Sequence, residues 1–301
     1  MTDDTLETYA RRLEHSDDYR VIRRLPEITC YHPPSDETPH IGVYVDVETT
    51  GLNPGTDHII ELAMVTFEFH PDGRIFRLLE QFDGFNDPGY PLPEGIIKLT
   101  GITDAMVQGQ SIDRDKVCSL LDQSVVVIAH NAEFDRVFLE SSFPEFAAKA
   151  WACSIRDIPW VEEGIDGHKL EYLAFRQGFF YEGHRATTDC LAGIHLLSKT
   201  LPLSGEPTLK VLLDKAREKE YRIWAQGSPF DAKDVLKGRG YRWNTGDNNQ
   251  PRSWYIDVPG DALKEEVSYL QQQIYGMDVE LRIDVMTAFN RYSNRLQADP
   301  R

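Results

Sequence analysis

Cysteine is scarce in this 301-residue chain, and the four present, Cys30, Cys118, Cys153 and Cys190, form no CxxC pair. That excludes a zinc knuckle and a disulfide framework, and the thiols are expected to be reduced. Long apolar runs are missing too. No stretch approaches the roughly 20 apolar residues that a membrane span requires, and the opening MTDDTLETYARRLEHSDDYR has no apolar core behind a basic start. A cytoplasmic protein with no membrane partner is expected. Internal repeats and low-complexity tracts are absent as well. Positive charge is also in short supply, with 32 Lys and Arg against 49 Asp and Glu, a net of −17. Nucleic-acid partners usually favour basic surfaces, so the balance argues weakly against one. The deficit is uneven, because residues 209–252 hold ten Lys or Arg against six Asp or Glu.

What is present is a soluble globular composition, 41% hydrophobic and 27% charged, long enough for one large domain and a small one. Residues 1–40 read as an N-terminal extension: an amphipathic helix near residues 6–13, then a Pro-rich link, YHPPSDETPH. Residues 41–203 read as the main domain. IGVYVDVET, IIELAMVTFEF and RIFRLLEQFDGF are strands separated by the turn signals NPGTD and PDG, which predicts an antiparallel meander. Helices follow at EGIIKLTGI and RDKVCSLLD, then the apolar strand SVVVIAH, the helix AEFDRVFLESSF, the strand-like AWACSI, and helices at KLEYLAFRQG and TTDCLAGIHLLSKTL. The fold class is therefore α/β, a mixed sheet flanked by helices. PLSGEPT marks a boundary, and residues 208–301 read as a small α/β module.

One stretch of the first strand is chemically expensive. VYVDVETTGL places Asp46 and Glu48 inside an apolar run, and the period of a strand points both the same way. Burying an ionised carboxylate costs several kcal/mol unless it is paired or metal-bound, so a shared site is indicated. Two more segments offer titratable residues: Asp135 in AHNAEFDRVFL, and His184 with Asp189 in GHRATTDCLAGIHLL. Four carboxylates converging on one point would make a cage of hard oxygen donors, suited to Mg²⁺ or Mn²⁺. Two such ions clamp the attacking and leaving oxygens of an in-line phosphoryl displacement. A histidine, with its ordinary pKa near 6.5, is suited to taking a proton from the attacking water.

DVETTGL, AHNAEFD and HRATTD, in this order, resemble the three motifs of the DEDDh branch of the DnaQ-like exonucleases, the superfamily of the proofreading epsilon subunit of bacterial DNA polymerase III. The resemblance spans roughly residues 41–201, with LTGITDAMV between the first two motifs. It implies a ribonuclease H-like fold and metal-dependent 3′-to-5′ removal of nucleoside monophosphates. Asp46 resembles the ligand that bridges two metal ions, Glu48 and Asp189 the further ligands of the ion holding the attacking water, Asp135 the support of the second ion, and His184 the general base. The sister branch carries Tyr four residues before the last Asp, where this chain has Arg185. Thr49, Thr50, Gly51 and Leu52 resemble the segment that packs on the terminal nucleotide, with Thr100 and Ile102 adding to it; Leu52 and Ile102 read equally well as core residues at turns.

The other candidates are structural or two-sided. Asn131 reads as a helix cap. Phe134 and Phe138, at i and i+4, read as core, and Glu61 reads as either a substrate contact or a structural acid in its strand. The arginines Arg11, Arg12, Arg20, Arg23 and Arg24 read as a solvated face. In the C-terminal module Lys233, Lys237, Arg239 and Arg242 are candidates for contact with nucleic acid, interleaved with Tyr241 and Trp243, which alternate along a presumed strand and read as core or as a stacking platform. The function expected is a 3′-to-5′ exonuclease that uses two Mg²⁺ or Mn²⁺ ions and acts on DNA rather than RNA, at single-stranded or frayed ends. The alternatives are a ribonuclease or short-oligonucleotide nuclease of the same branch, and a proofreading-type subunit docked to a DNA polymerase.

Overall fold

The computed structural model describes residues 3–33, 38–246 and 250–295. In chain order the elements are α1 (Asp3–Glu14), β1 (Arg23–Arg24), β2 (His40–Thr49), β3 (Ile59–Phe69), β4 (Ile75–Phe85), α2 (Glu94–Thr100), α3 (Asp104–Val107) and α4 (Arg114–Gln123). They continue with β5 (Val126–Ala129), α5 (Ala132–Ser142), β6 (Trp151–Cys153), α6 (Leu170–Arg176), β7 (Phe179–Phe180), α7 (Ala186–Leu197) and α8 (Thr208–Arg217). The remainder is β8 (Glu220–Ala225), α9 (Lys233–Gly238), β9 (Arg242–Trp243), β10 (Trp254–Pro259), α10 (Leu263–Tyr269) and β11 (Arg282–Met286). Among the described residues no helix is long and apolar enough to cross a membrane.

The main sheet runs β4-β3-β2-β5-β6. β2, β3 and β4 form the expected antiparallel meander, while β5 and β6 run parallel to β2, giving the expected mixed sheet flanked by helices. Both faces are covered because β2 and β3 are apolar at both parities. Val43, Val45, Val47, Leu62 and Met64 enter one core with Val117, Leu120 and Leu121 of α4 and Phe138 and Leu139 of α5. Tyr44, Ala63, Val65 and Phe67 enter the other, against α6, α7 and α8.

Two local devices set where the acids fall. Asp46 lies two residues beyond Tyr44, and Asp189 one helical turn before Gly193. The Tyr44 ring lies directly against Gly193, where any Cβ would overlap it, so the glycine lets α7 settle on β2 with Asp189 alongside Asp46. On the opposite side β5 pairs only with Gly42, Val43 and Tyr44. Beyond its end the Val47 N–H is taken by Asp135 Oδ1 at 3.2 Å.

The second sheet runs β11-β8-β10-β9 and packs Ile223, Ala225, Val258, Leu236 and Leu270 into a smaller core with α9 and α10. Several expectations change here. Leu209, Leu212, Leu213 and Ala216 of α8 belong to the first core, so the change of core falls after that helix and not at residue 208. After β11 the chain returns to the first unit, where the fully buried Arg136 guanidinium donates to the carbonyls of Ala288, Phe289 and Arg291. Tyr241 and Trp243 do not share a face. Tyr241 belongs to the turn that closes α9, its N–H donating to Leu236 O, and is buried with its hydroxyl on Glu266, whereas Trp243 is 48% exposed. α10 passes directly into a π turn at Leu270–Tyr275.

At the N-terminus β1 pairs with β7, Arg20 donates to the carbonyls of Phe175 and Arg176, and Arg24 pairs with Glu182, so the arginines are not merely a solvated face. Parts of the Pro-rich link and of the GDNNQPR turn lie outside the described residues.

Candidate active site

Asp46 and Glu48 stand at the C-terminal end of β2, Asp189 in the first turn of α7, and Asp135 in the first turn of α5. One carboxylate oxygen from each of Asp46, Glu48 and Asp189 lies within 4.8 Å of the others. Asp135 completes the group from the far side of β2. Its carboxylate is held by the Val47 N–H and by the N–H groups of Asn131 and of Asp135 itself. Asn131 therefore contributes its backbone; the expected side-chain cap does not form.

Crowding these acids is electrostatically costly. Burial, followed by repulsion from Asp135, Asp189, Glu48 and Glu61, pushes the Asp46 carboxyl far above its ordinary range. Burial and then Asp189 raise Glu48 to about 8. Burial raises Asp135 to about 7 against the N–H bonds that oppose it, and raises Asp189 to about 6 against a hydrogen bond from Tyr181. Acids held together at this cost call for positive charge, and an all-oxygen donor set fits a hard divalent cation. Asp46, Glu48 and Asp189 would hold one, with Asp135 placed to support a second.

His184 lies in the loop before α7, half exposed and with a left-handed backbone, φ 65°. Its positive charge, when it carries one, lowers the Asp189 pKa, which places it beside the acids. All five residues singled out from the motifs thus gather at one end of β2.

The family assignment follows. Residues 43–197 match the family model RNase_T, described as an exonuclease. The chain belongs to this exonuclease family. It is 33% identical over 164 residues to a PolC-type DNA polymerase III of Pediococcus pentosaceus, covering 52% of this chain and 11% of that one. It is 31% identical over 166 residues to the DNA polymerase III subunit epsilon of Aquifex aeolicus, covering 53% and 79%. The chain spans about a tenth of the length of the PolC-type relatives it matches. Among solved structures, Exonuclease X in complex with 5′ overhanging duplex DNA is 24% identical, with coverage of 58% and 99% and a TM-score of 0.43. E. coli Exonuclease I with a dA16 oligonucleotide is 14% identical, with coverage of 79% and 68% and a TM-score of 0.47. Residues 43–197 are an exonuclease domain.

Within the exonuclease domain the remaining candidates separate. Leu52 is 85% exposed, which removes its core reading. Ile102 is fully buried with Ile60, Leu92 and Val107, and has no side-chain surface to offer a nucleotide. Thr100 is buried too, donating to Ile96 O and accepting from the Ile102 N–H, so both shape the turn from within. The Thr49 hydroxyl donates to Gly51 O. That of Thr50 lies 2.9 Å from Tyr90 Oη and accepts from the His58 N–H. Gly51 makes room for the Asp57 carboxylate, which a Cβ there would meet at 2.5 Å and displace. Phe134 and Phe138 stack at 4.9 Å in the core, as expected.

Glu61 is structural. Fully buried opposite Glu48, it accepts from Arg185 Nε and Nη2 and from the Ala186 N–H, which ties β3 to the start of α7. Of the four basic candidates, Arg239 is gripped by Glu266 and Arg242 by Asp257, so neither presents a free cation. Lys233 lies over the Phe230 ring, and Lys237 is exposed.

Two neighbours of the acids carried no sequence signal. The Tyr181 hydroxyl donates to Asp189 Oδ1 at 3.0 Å, and Glu171 Oε1 lies 3.8 Å from His184 Nε2. An aromatic in YEGHR reads as core, and a Glu at the start of a helix reads as a surface charge. Only the fold brings them in.

Proposed function

We propose that this chain is a metal-dependent 3′-to-5′ exonuclease that releases nucleoside 5′-monophosphates from DNA ends, single-stranded or frayed. The observation that carries this reading is the meeting of Asp46, Glu48 and Asp189 within 4.8 Å, drawn from two elements, with Asp135 behind them and His184 beside them. Divalent cations, Mg²⁺ or Mn²⁺, supply charge stabilisation to a phosphodiester when bound at such a donor set. Asp46, Glu48, Asp189 and Asp135 hold them. His184 takes the proton of the attacking water at a ring nitrogen, and its place in an exposed loop leaves that nitrogen reachable from the substrate side. Leu52, the exposed apolar residue at the rim, packs on the terminal base.

The preference for DNA is supported by relatives named as DNA polymerase III proteins. Those names also support a role beside a polymerase, which a pull-down with a replicative polymerase would reveal as a retained complex.

The test is digestion of 5′-labelled single-stranded, recessed, blunt and mismatched oligomers, in DNA and in RNA, with Mg²⁺ or Mn²⁺. A ladder shortening from the 3′ end, with monophosphate products and loss of activity in Asp46→Asn, is expected. Internal cleavage products would overturn the exonuclease reading, and equal or faster digestion of RNA would overturn the DNA preference.

A further inference from the structure

We propose that Glu171 is the positioning residue of the general base: it holds the His184 ring toward the reacting centre and steadies the imidazolium as the water's proton arrives. This rests on the reading of His184 as that base. Glu171 is no part of the carboxylate cluster and belongs to none of the three motifs.

Three observations meet at this residue. Glu171 Oε1 lies 3.8 Å from His184 Nε2 and is the ion-pair partner of that ring among the described residues. The loop between them is cut to fit. A Cβ on Gly183 would stand 2.9 Å from Glu171 Oε1 and 3.5 Å from Asp189 Oδ1, so the loop passes close between the two acids and a side chain there would displace the Glu171 carboxylate. His184 itself holds a left-handed φ of 65°, a conformation that a non-glycine residue keeps only where its surroundings hold it.

The other charged groups around the ring are already committed. Arg185 is bound by Glu61, and Asp189 receives the Tyr181 hydroxyl and the Arg185 N–H. Arg24 pairs with Glu182 at the loop's outer side. Glu171 is left to face the imidazole.

Glu171 is itself placed by a hydrogen-bond chain that runs inward from the segment before α6 to β2. The His130 ring contacts the His168 carbonyl through Nε2 at 2.7 Å and Ser154 Oγ through Nδ1 at 2.8 Å. A carbonyl can only accept, so Nε2 carries the proton. Burial holds His130 at about 4, so the ring is neutral and Nδ1 accepts from Ser154, whose oxygen in turn accepts from Tyr44. That chain fixes residue 168, three positions before Glu171, relative to β2, on which Asp46 and Glu48 stand. The base, its partner and the acids are thereby referred to one strand.

A base oriented by a third group is the general logic of an activated nucleophile. The proton passes from water to the imidazole and is later released to solvent.

The test is steady-state kinetics on a single-stranded DNA oligomer with Mg²⁺ for Glu171→Ala, Glu171→Gln and Glu171→Asp, each also in a His184→Ala background. Glu171→Ala and Glu171→Gln should lower kcat about 10-fold with KM unchanged, a fraction of the roughly 10²-fold that removal of the base costs. Glu171→Asp should recover part of the loss, and in the His184→Ala background Glu171→Ala should change nothing further. Unchanged kcat in Glu171→Ala, or an equal further loss when His184 is absent, would overturn the proposal while leaving the base assignment standing. Full activity of His184→Ala would instead overturn the base assignment. Thermal midpoints of all variants report whether they fold.

Discussion

Both units bury charge, but they do so in opposite ways. In the small unit each buried acid meets its complement. Asp284 accepts from Trp224 Nε1 and pairs with Arg282, Glu266 binds Arg239 and Tyr241, and Asp257 lies between Arg222 and Arg242. In the exonuclease domain Asp46, Glu48, Asp135 and Asp189 meet one another, and the nearby Arg185 is spent on Glu61. Satisfied charge fixes a structure, whereas charge left at mutual repulsion waits for a ligand. The same contrast explains why Arg222, Arg239 and Arg242, three of the basic residues of 209–252, are held by acids of the small unit.

The comparison can be broken most forcefully at Asp46. Asp46→Asn should reduce exonuclease activity by at least the roughly 10²–10³-fold typical of losing one group that stabilises developing charge, while raising the thermal midpoint of metal-free protein because the cost of burying that carboxyl among other acids is gone. Activity near wild type on labelled oligomers would remove Asp46 from the site. Asp284→Ala should do the reverse. It strands Arg282 and the buried indole N–H, costs about 3 kcal/mol of stability, and leaves kcat at the distant acids unchanged in the surviving folded fraction; chemical denaturation measures the first part and kinetics the second.

A smaller effect concerns pH. The folded pKa values of Glu48, at about 8, and Asp189, at about 6, lie above their ordinary 4.5 and 3.8. Raised carboxyls bind protons more tightly in the folded state. Their contribution to stability is present below pH 4 and is lost as pH rises through about 6 and then about 8. Calorimetry in EDTA should show the midpoint falling across that window, with Mg²⁺ restoring it at pH 8, and a flat profile would contradict the crowding. The smallest change is expected at Leu52. Leu52→Ala should raise KM severalfold and leave stability within about 0.5 kcal/mol, as for an exposed side chain with no packing to lose.

What the sequence made legible follows the same division. Asp46 and Glu48 stood out because carboxylates in an apolar strand are expensive, and the meander was readable from two turn signals between alternating runs. Glu61 looked identical in kind, yet its partner Arg185 is 124 residues away, so nothing local distinguished a satisfied acid from an unsatisfied one. Tyr181 and Glu171 failed for a related reason: each is an ordinary residue in its own segment, and only the packing of α6 and α7 gives it a role. β11 went unread because RIDVM alternates an apolar face with Arg282 and Asp284, which pair with each other and resemble a surface loop until β8 lies beside them. Tyr241 was misplaced because the turn after α9, and not the strand, sets its direction.

The contact of Gly193 with Tyr44 has a consequence for ion choice. Mg²⁺ requires near-ideal octahedral geometry at about 2.0–2.1 Å, whereas Ca²⁺ accepts about 2.3–2.6 Å in looser cages. The gap between Asp46 and Asp189 is set where α7 touches β2, at a residue that carries no side chain and meets no ion. A single methyl group there would act as a spacer, widening the cage toward the larger cation without altering any ligand. The spacing of Asp46 and Asp189 is thus written in the thickness of a helix–strand contact, one turn away from the acids themselves.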